Sequence, residues 1–579
     1  DGTGVTVSQS TNCVVAANRV HGIGGGAGIE IRGGSACAAI GNDVWDTCHQ
    51  GIIIQGGDPE TLTPGGHAVD NNYLHHIGVM DGHGCGIMLG GVGLRVSHNL
   101  IHDTSRCGIF GGGNDCVIEY NRIRHVNLET EDTGGYYNGG CWHIRGQVIR
   151  HNHIHDVLGY GRKADGTWGW HHSACCVYLD DDHSGTHVYG NILARSVLGG
   201  VFVHGGRDNL IENNILVDHS NRQVTYSGHD PAADVVAGHL QSFQKYRDNP
   251  AYAKYPEIAK LDLETAWRMV GNRFVRNIIC YRDPQTKLYG ISRNDFPEQN
   301  EFDYNLIYHY GNTPRTGVQR VNGTKSANVL GNPGFEEAAA TGKPLKWSVR
   351  DKLPEGAKVA TVEDNPLSGG RCLFIATAAR TDAEASRGGI VLLSDGVQAL
   401  PGENYRFRVF LRAKRKDTKM RLAVQTDRAS GKNWQGHVPE KTVYVGTAWE
   451  PYEIAFRLPG PGEPWYEPEM KGMRARLTCP ADAETVWADD ASLQAVTLMD
   501  EWASWQAEGF DTHSVIADPL FADPANDDYR LSPRSPAFRL GFKPIPVEKI
   551  GPYPDRFRAT WPIREAAGVR EIGLPGAKK

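Results

Sequence analysis

No apolar run in this chain of 579 residues approaches the ~18 needed to span a bilayer, so membrane insertion is not expected. No sign of charge dominates either. A formal net charge of −7 gives no footing for nucleic acid or an anionic membrane as partner. No signal-peptide pattern opens the chain, although DGTGVTV looks like a processed or trimmed end. The 12 cysteines include no tight CxxC pair of the kind that reads as a zinc site. Those from Cys13 to Cys280 are scattered through the first half, as small thiols buried in a core would be. Cys372 and Cys479 follow in the second half and are open to bridging if their distance allows. Cysteine usage leaves the compartment open, and oligomeric state is not legible.

What the chain has in abundance is glycine, 70 residues, about 12% against a typical ~7%, which calls for many turns. It also has a repeat. Asn followed by any residue and then Ile, Leu or Val recurs at Asn18, Asn42, Asn72, Asn99, Asn121, Asn152, Asn191, Asn214, Asn277 and Asn305. A unit of a little over 20 residues with insertions is a solenoid signal. Short alternating segments ending in glycine accompany it: GIEIRGG, GIIIQGG, GIMLGG, GIFGGG, WHIRG and VFVHGG. These read as short strands joined by turns, where asparagine tolerates the left-handed conformation and can bond to its stacked equivalents. A β-propeller needs a period of about 40 residues or more, which is missing. The expected fold is a right-handed parallel β-helix over residues 1–330. Three stretches, 126–140, 157–174 and 217–272, interrupt the rhythm and are expected as loops over one face.

From about residue 331 the texture changes to longer alternating strands such as NYRFRVFLRAK, ending at VWADDASLQAV. Residues 331–497 are expected to form an inserted β-sandwich, and 498–579 a return to the solenoid with its C-terminal closure. The NPGFE opening and the ADDASL strand resemble jelly-roll carbohydrate-binding modules. Trp434, Trp465 and Tyr466 stand in loop-like surroundings where they would stack on a sugar or simply pack.

Aligning the glycine-ended strands by apolar pattern sets Trp142 and Ile144 beside Val177 and Leu179, then Val201 and Val203, all facing inward. The outward set is then His143 and Arg145, Tyr178 and Asp180, Phe202 and His204. Equivalent positions on adjacent coils lie about 4.8 Å apart, so Arg145, Asp180 and His204 are expected as one outer row. Interrupting loops bring Glu129, Glu131, Asp132, Tyr136 and Tyr137, and also Trp168, Trp170, His171 and His172. Aromatic rings and carboxylates around a groove suit a carbohydrate.

The triplet Asp180, Asp181 and Asp182 needs a cation, a proton, water or a role in chemistry. Glycoside hydrolysis uses two carboxyls, and Asp132 with Asp180 or Asp181 is the candidate pair. Crowding raises at least one carboxyl, as an acid catalyst requires. In a second reading, a polysaccharide lyase or epimerase, the three aspartates hold Ca²⁺ against a uronate, with Arg145 or His143 as base. In a third, the solenoid only binds glycan.

The segments ETEDTGGYY, VIRHNHIHDV, VYLDDDHSGTHVYGNIL and GGVFVHGGRDNLIENNILVDHS resemble the parallel β-helix glycoside hydrolases, most closely family 141, which includes α-L-fucosidase and xylanase activities. GFDTHSVIADPLFADP resembles the C-terminal region of the same group. The resemblance covers residues 1–320 and 500–550. It implies a glycosidase, secreted or periplasmic and without a resident cofactor, acting on a plant, algal or bacterial polysaccharide or its oligosaccharides. Its aspartate pair falls on Asp132 and on Asp180 and Asp181. His143, Arg145, Tyr136, Tyr178, His204, Arg207, Trp170 and His172 are then expected to bind substrate, with Arg207 equally readable as a turn anchor. Two departures stand out. Asp182 and His183 follow where the group more often has glycine, and the chain begins inside the repeat without the expected N-terminal capping element.

Overall fold

The computed structural model describes residues 2–163, 166–229, 234–291, 297–377, 389–428, 440–463, 466, 468–481 and 485–568. Trp434 and Trp465 lie outside the described residues. The chain divides into two compact units, Asp1–Gly317 with Trp505–Lys579, and Val318–Ser504.

The first unit is a parallel β-helix of three long sheets with ten, ten and eleven strands. Each coil gives one strand to each sheet, and the strands stack in register, as where Ile29 and Ile31 meet Ile52 and Ile54. Those inward side chains are wholly buried, as are Val177, Leu179, Val201 and Val203. Each coil therefore buries its apolar face chiefly against its neighbours, as in a solenoid.

The repeat asparagines form one continuous ladder. Side-chain amides run from Asn18 through Asn42, Asn72, Asn99, Asn121, Asn152, Asn191, Asn214 and Asn277 to Asn305. The left-handed residue at these turns is not the asparagine but the one before it: Ala17, Gly41, Asn71, His98, Tyr120, His151, Gly190, Asn213, Arg276 and Tyr304 all have φ between 55° and 63°. The ladder amide holds that strained step from outside. Asn72 Nδ2, for example, donates to the Asp70 carbonyl on the far side of the turn. A bulky residue such as Tyr120 in this conformation costs about 1–2 kcal/mol, which the buried amide network offsets.

Two of the expected interruptions contain solenoid strands. Residues 126–140 include Thr133–Gly139, a strand of the first sheet. Residues 217–272 begin with the Arg222–Ser227 strand and continue into the helix Asp234–Arg247. Within residues 157–174, Tyr160–Arg162 pairs antiparallel with Trp168–Trp170. No described helix is long and apolar enough to cross a membrane.

After residue 504 the chain rejoins the solenoid. Val515 and Ile516 pair in parallel with Leu306 and Ile307, adding the last strand of the third sheet. The chain then runs back along the solenoid. Arg195 grips Asp527, Asn213 bonds Lys543, Asn71 bonds Tyr553, and Asp43 pairs with Arg558. Tyr529, Ala537, Phe542 and Ile545 cover Ile192, Ile215, Ile278 and Leu306 on the way.

The second unit is sandwich-like, with antiparallel sheets of six and five strands. In Asn404–Ala413 buried and half-buried residues alternate strictly, as expected of a strand with one face on a core. The unit is wider than 331–497 because Val321–Thr324 pairs with the end of the long Thr485–Leu498 strand. Cys372 and Cys479 are both buried and neither forms a disulfide, so the bridge left open by the sequence is not formed. Tyr466 is half-buried.

Candidate active site

The Ala174–Asp180 strand pairs with Thr133–Gly139 so that Tyr136 meets Val177, Tyr137 meets Tyr178, and Gly139 meets Asp180. This register corrects the expected row. The strand beside Asp180 is TGGYYNG, not CWHIRG, because the two glycines after Thr133 let the chain enter the sheet before it reaches the apolar pattern of Trp142 and Ile144. Phe110, Tyr137, Tyr178 and Phe202 occupy one outward row, with successive ring centroids 5.6, 5.2 and 4.4 Å apart. Two residues further along, Gly139, Asp180 and the strand end at His204 form the next row.

Several expected substrate-binding residues are placed elsewhere by this register. Tyr136 points inward, fully buried, and donates to the Gly111 carbonyl at 3.0 Å. His143 and Arg145 belong to a loop under the Asp234–Arg247 helix. His143 stacks on Tyr246 at 4.2 Å, and burial pushes its imidazole down to about 4. Arg145 is 3% exposed, donating to the Trp142 carbonyl and, at 2.8 Å, to Asp208. Arg207 also pairs with Asp208, at 3.4 Å, and its amide donates to Ser184, so it anchors a turn. Trp170 is fixed in its strand pair by a bond from its indole to the Leu128 carbonyl at 3.0 Å. His172 pairs with Glu131, the neighbour of Asp132.

Asp132, Asp180, Asp181, Tyr178 and His204 do converge. Asp180, 5% exposed, accepts from Tyr137 at 2.9 Å, from His204 Nδ1 at 2.7 Å and from the Asp181 amide at 2.9 Å. Burial pushes its carboxyl up, but the bonds from His204 and Tyr137 outweigh it and leave Asp180 below the usual range. His204 shows the reverse balance. Burial opposes its charge, and the bond and charge of Asp180 win, leaving it above the ordinary imidazole value. Asp132, at an open position with φ 52°, accepts from the Tyr178 hydroxyl at 3.2 Å. Its surroundings desolvate it, and Asp180's charge repels it, so it titrates above the usual carboxylate range. Asp181 is raised for the same two reasons. Tyr178 itself is 2% exposed, with its hydroxyl turned to Asp132.

Four residues escaped the sequence reading or were left unassigned by it. Tyr137, the outward neighbour of Tyr136, is the Asp180 donor. Arg106 lies over the Tyr137 ring at 5.4 Å and pulls Asp132 down in opposition to burial. His229 packs against His204, their tilted rings 4.1 Å apart at the centroids, and His239 donates to Asp182 at 2.7 Å. Extending the row by one coil past His204, into the YSGHD stretch, is the step that finds His229.

Asp182 is fully buried, with one carboxylate oxygen on His239 and the other 4.0 Å from His229. Among the described residues the cluster of ligand atoms close enough to share a cation is Asp181, His204 and His229, not the three aspartates together that were expected to hold Ca²⁺, and Asp181 and Asp182 both have left-handed backbones.

The family model of the right-handed β-helix region matches residues 3–170, within the first unit, whose fold is that of a parallel β-helix. No curated protein matches the chain. Among solved structures, CBM4 is 15% identical, covering 29% of this chain and 99% of that one with a TM-score of 0.21. The xylan-binding domain from CBM 22 is 15% identical, covering 30% and 96%, with a TM-score of 0.20. A cyclase from Fischerella sp. TAU is 15% identical, covering 30% and 98%, with a TM-score of 0.24.

Proposed function

We propose that the β-helix unit is a glycoside hydrolase in which Asp132 is the general acid and Asp180 the base or nucleophile. The observation that carries this reading is the pairing of two carboxylates with two hydroxyls of one aromatic row, Tyr178 on Asp132 and Tyr137 on Asp180. Acid and base roles need two carboxyls held in different environments. Asp132 is open to solvent, where a leaving-group oxygen can reach it, and its raised carboxyl supports the acid role. Asp180 is gripped by three donors and held ionised. A developing oxocarbenium ion between the two would be stabilised by the Asp180 charge. Exposed Trp168 and half-buried Tyr160, with ring centroids 6.0 Å apart on the strand pair leading to His172, would form a wall for sugar rings.

The elimination reading fares worse. Its expected bases, His143 and Arg145, are committed to Tyr246 and Asp208 beneath the helix. The substrate is a polysaccharide or its oligosaccharides, and a secreted or periplasmic location goes with that role. The test is a polysaccharide panel assayed in parallel for new reducing ends and for ultraviolet absorbance. Reducing ends without absorbance, lost in Asp132→Asn and Asp180→Asn, support hydrolysis. Absorbance from an unsaturated uronate overturns it.

A further inference from the structure

Three successive coils bring one metal-competent side chain each to the same corner of the first sheet. Asp181 turns out of the Ala174–Asp180 strand with φ 49°. His204 ends the next strand, and His229 follows the strand after that, two residues beyond Ser227, the register partner of His204. One ligand atom from each of Asp181, His204 and His229 lies within 4.8 Å of the other two. We infer that these three residues bind a divalent transition-metal ion of the Zn²⁺ or Mn²⁺ class, at the corner of the sheet beside Asp180.

The surroundings support a site that is built and not accidental. His204 uses Nδ1 to bond Asp180 at 2.7 Å, which fixes the ring and leaves Nε2 as its ligand atom. A carboxylate behind a ligating imidazole is the usual way a protein aims such a ligand and raises its basicity. His229 has a carboxylate nearby as well, its Nε2 lying 4.0 Å from Asp182 Oδ1, beyond hydrogen-bond length. Asp182 is wholly buried, and that Oδ1 accepts no hydrogen bond among the described residues. A buried carboxylate oxygen without a donor is costly unless positive charge stands close by. Gly205, at φ 74°, leaves room for this arrangement. A Cβ there would meet His229 Cδ2 at 2.2 Å and Asp182 Oδ1 at 2.3 Å.

The donor set chooses the ion. Two imidazole nitrogens and one carboxylate suit a borderline cation, whereas Ca²⁺ takes six to eight oxygens. Bonds of about 2.0–2.2 Å set ligand atoms roughly 3–3.6 Å apart around one ion, so atoms at the 4.8 Å limit must close in by about an ångström or more through side-chain rotation. Three protein ligands leave a further position for water or a substrate hydroxyl.

The test needs no substrate, so its outcome is separable from that of the hydrolase reading. The full chain is stripped with chelator, incubated separately with Zn²⁺, Mn²⁺ or Ca²⁺, desalted, and analysed for metal by mass spectrometry. About one Zn²⁺ or Mn²⁺ per chain should be retained, and no Ca²⁺. Asp181→Asn and His229→Gln should each weaken retention by more than about 100-fold, since even the partners that only orient a ligand are worth about 10- to 100-fold. Circular dichroism identifies the folded variants. If His229→Gln does not fold, the half-buried Asp181→Asn decides. Failure of the folded protein to retain either transition ion overturns the site, as does retention of Ca²⁺ alone, or retention unchanged in the folded variants.

Discussion

Tyr178 donates its hydroxyl proton to Asp132, a bond that favours the ionised carboxylate against the burial and the Asp180 charge that raise it. Tyr178→Phe should therefore raise Asp132 further. If Asp132 is the acid, activity is lost as pH climbs through its pKa. The alkaline limb of the kcat/KM profile should then move to higher pH in the variant, and a shift to lower pH would contradict the assignment. Asp132→Asn and Asp180→Asn should each cut kcat by about 10²- to 10⁴-fold, the usual worth of a positioned acid or base, with the fold retained. Tyr136→Phe is the contrasting case. Its hydroxyl faces Gly111 inside the solenoid, so stability should fall while the shape of the pH profile stays.

At the scale of elements, the asparagine ladder gives each turn a side chain that reaches both along its own coil and on to the next. Asn121 donates to the Asn152 side chain and to the Val96 and Glu119 carbonyls, and accepts from both the amide and the side chain of Asn99. Replacing it by alanine leaves several buried groups without partners. The expected loss is about 3 kcal/mol of stability, read as a lowered denaturation midpoint. Exchange of amide protons in the turns on either side should rise with it. Wild-type protection in Asn121→Ala would show that the ladder is passive. The ladder was legible in the sequence because every member is an asparagine at a recurring offset. The strand beside Asp180 was less so, since TGGYYNG carries inward Tyr136 where other coils carry Ile or Val, and a pattern search prefers CWHIRG.

On the scale of the whole molecule, Arg195 joins the solenoid to the returning C-terminal chain. It makes paired bonds to Asp156, at 2.8 and 2.9 Å, and to Asp527, at 2.6 and 2.8 Å. Burial pushes Asp527 up, but the Arg195 bonds and charge prevail and bring it down to about 2. A depressed carboxyl contributes stability that is fully present above its unfolded value of about 3.9 and is lost as pH falls from there toward the folded value. Proteolysis of the C-terminal chain by an acid-active protease should accelerate across that window. In Asp527→Asn, which has no such proton to take up, the acceleration should be smaller and basal cleavage faster. An identical pH profile in the variant would remove this pair from the account.

The amino-acid sequence alone determined the solenoid, because a coil of little more than 20 residues repeats its demands locally: an apolar strand, a left-handed step, and an asparagine to hold it. It also singled out Asp180, Asp181 and Asp182, since three adjacent carboxylates at a strand end are conspicuous in any register, and Asp132 from the loop on the preceding coil. Only the tertiary structure decided which residues stand beside them. A slip in strand assignment exchanges one neighbouring set of side chains for another, so Gly139 stands in register with Asp180 where Arg145 was expected, and Tyr137 reaches Asp180 by its hydroxyl. His229 packs against His204 from a full coil further along the chain, and His239 reaches Asp182 across 57 residues. The chain must travel a whole turn of the helix to return to the same corner, so stacking creates these neighbours and linear order conceals them.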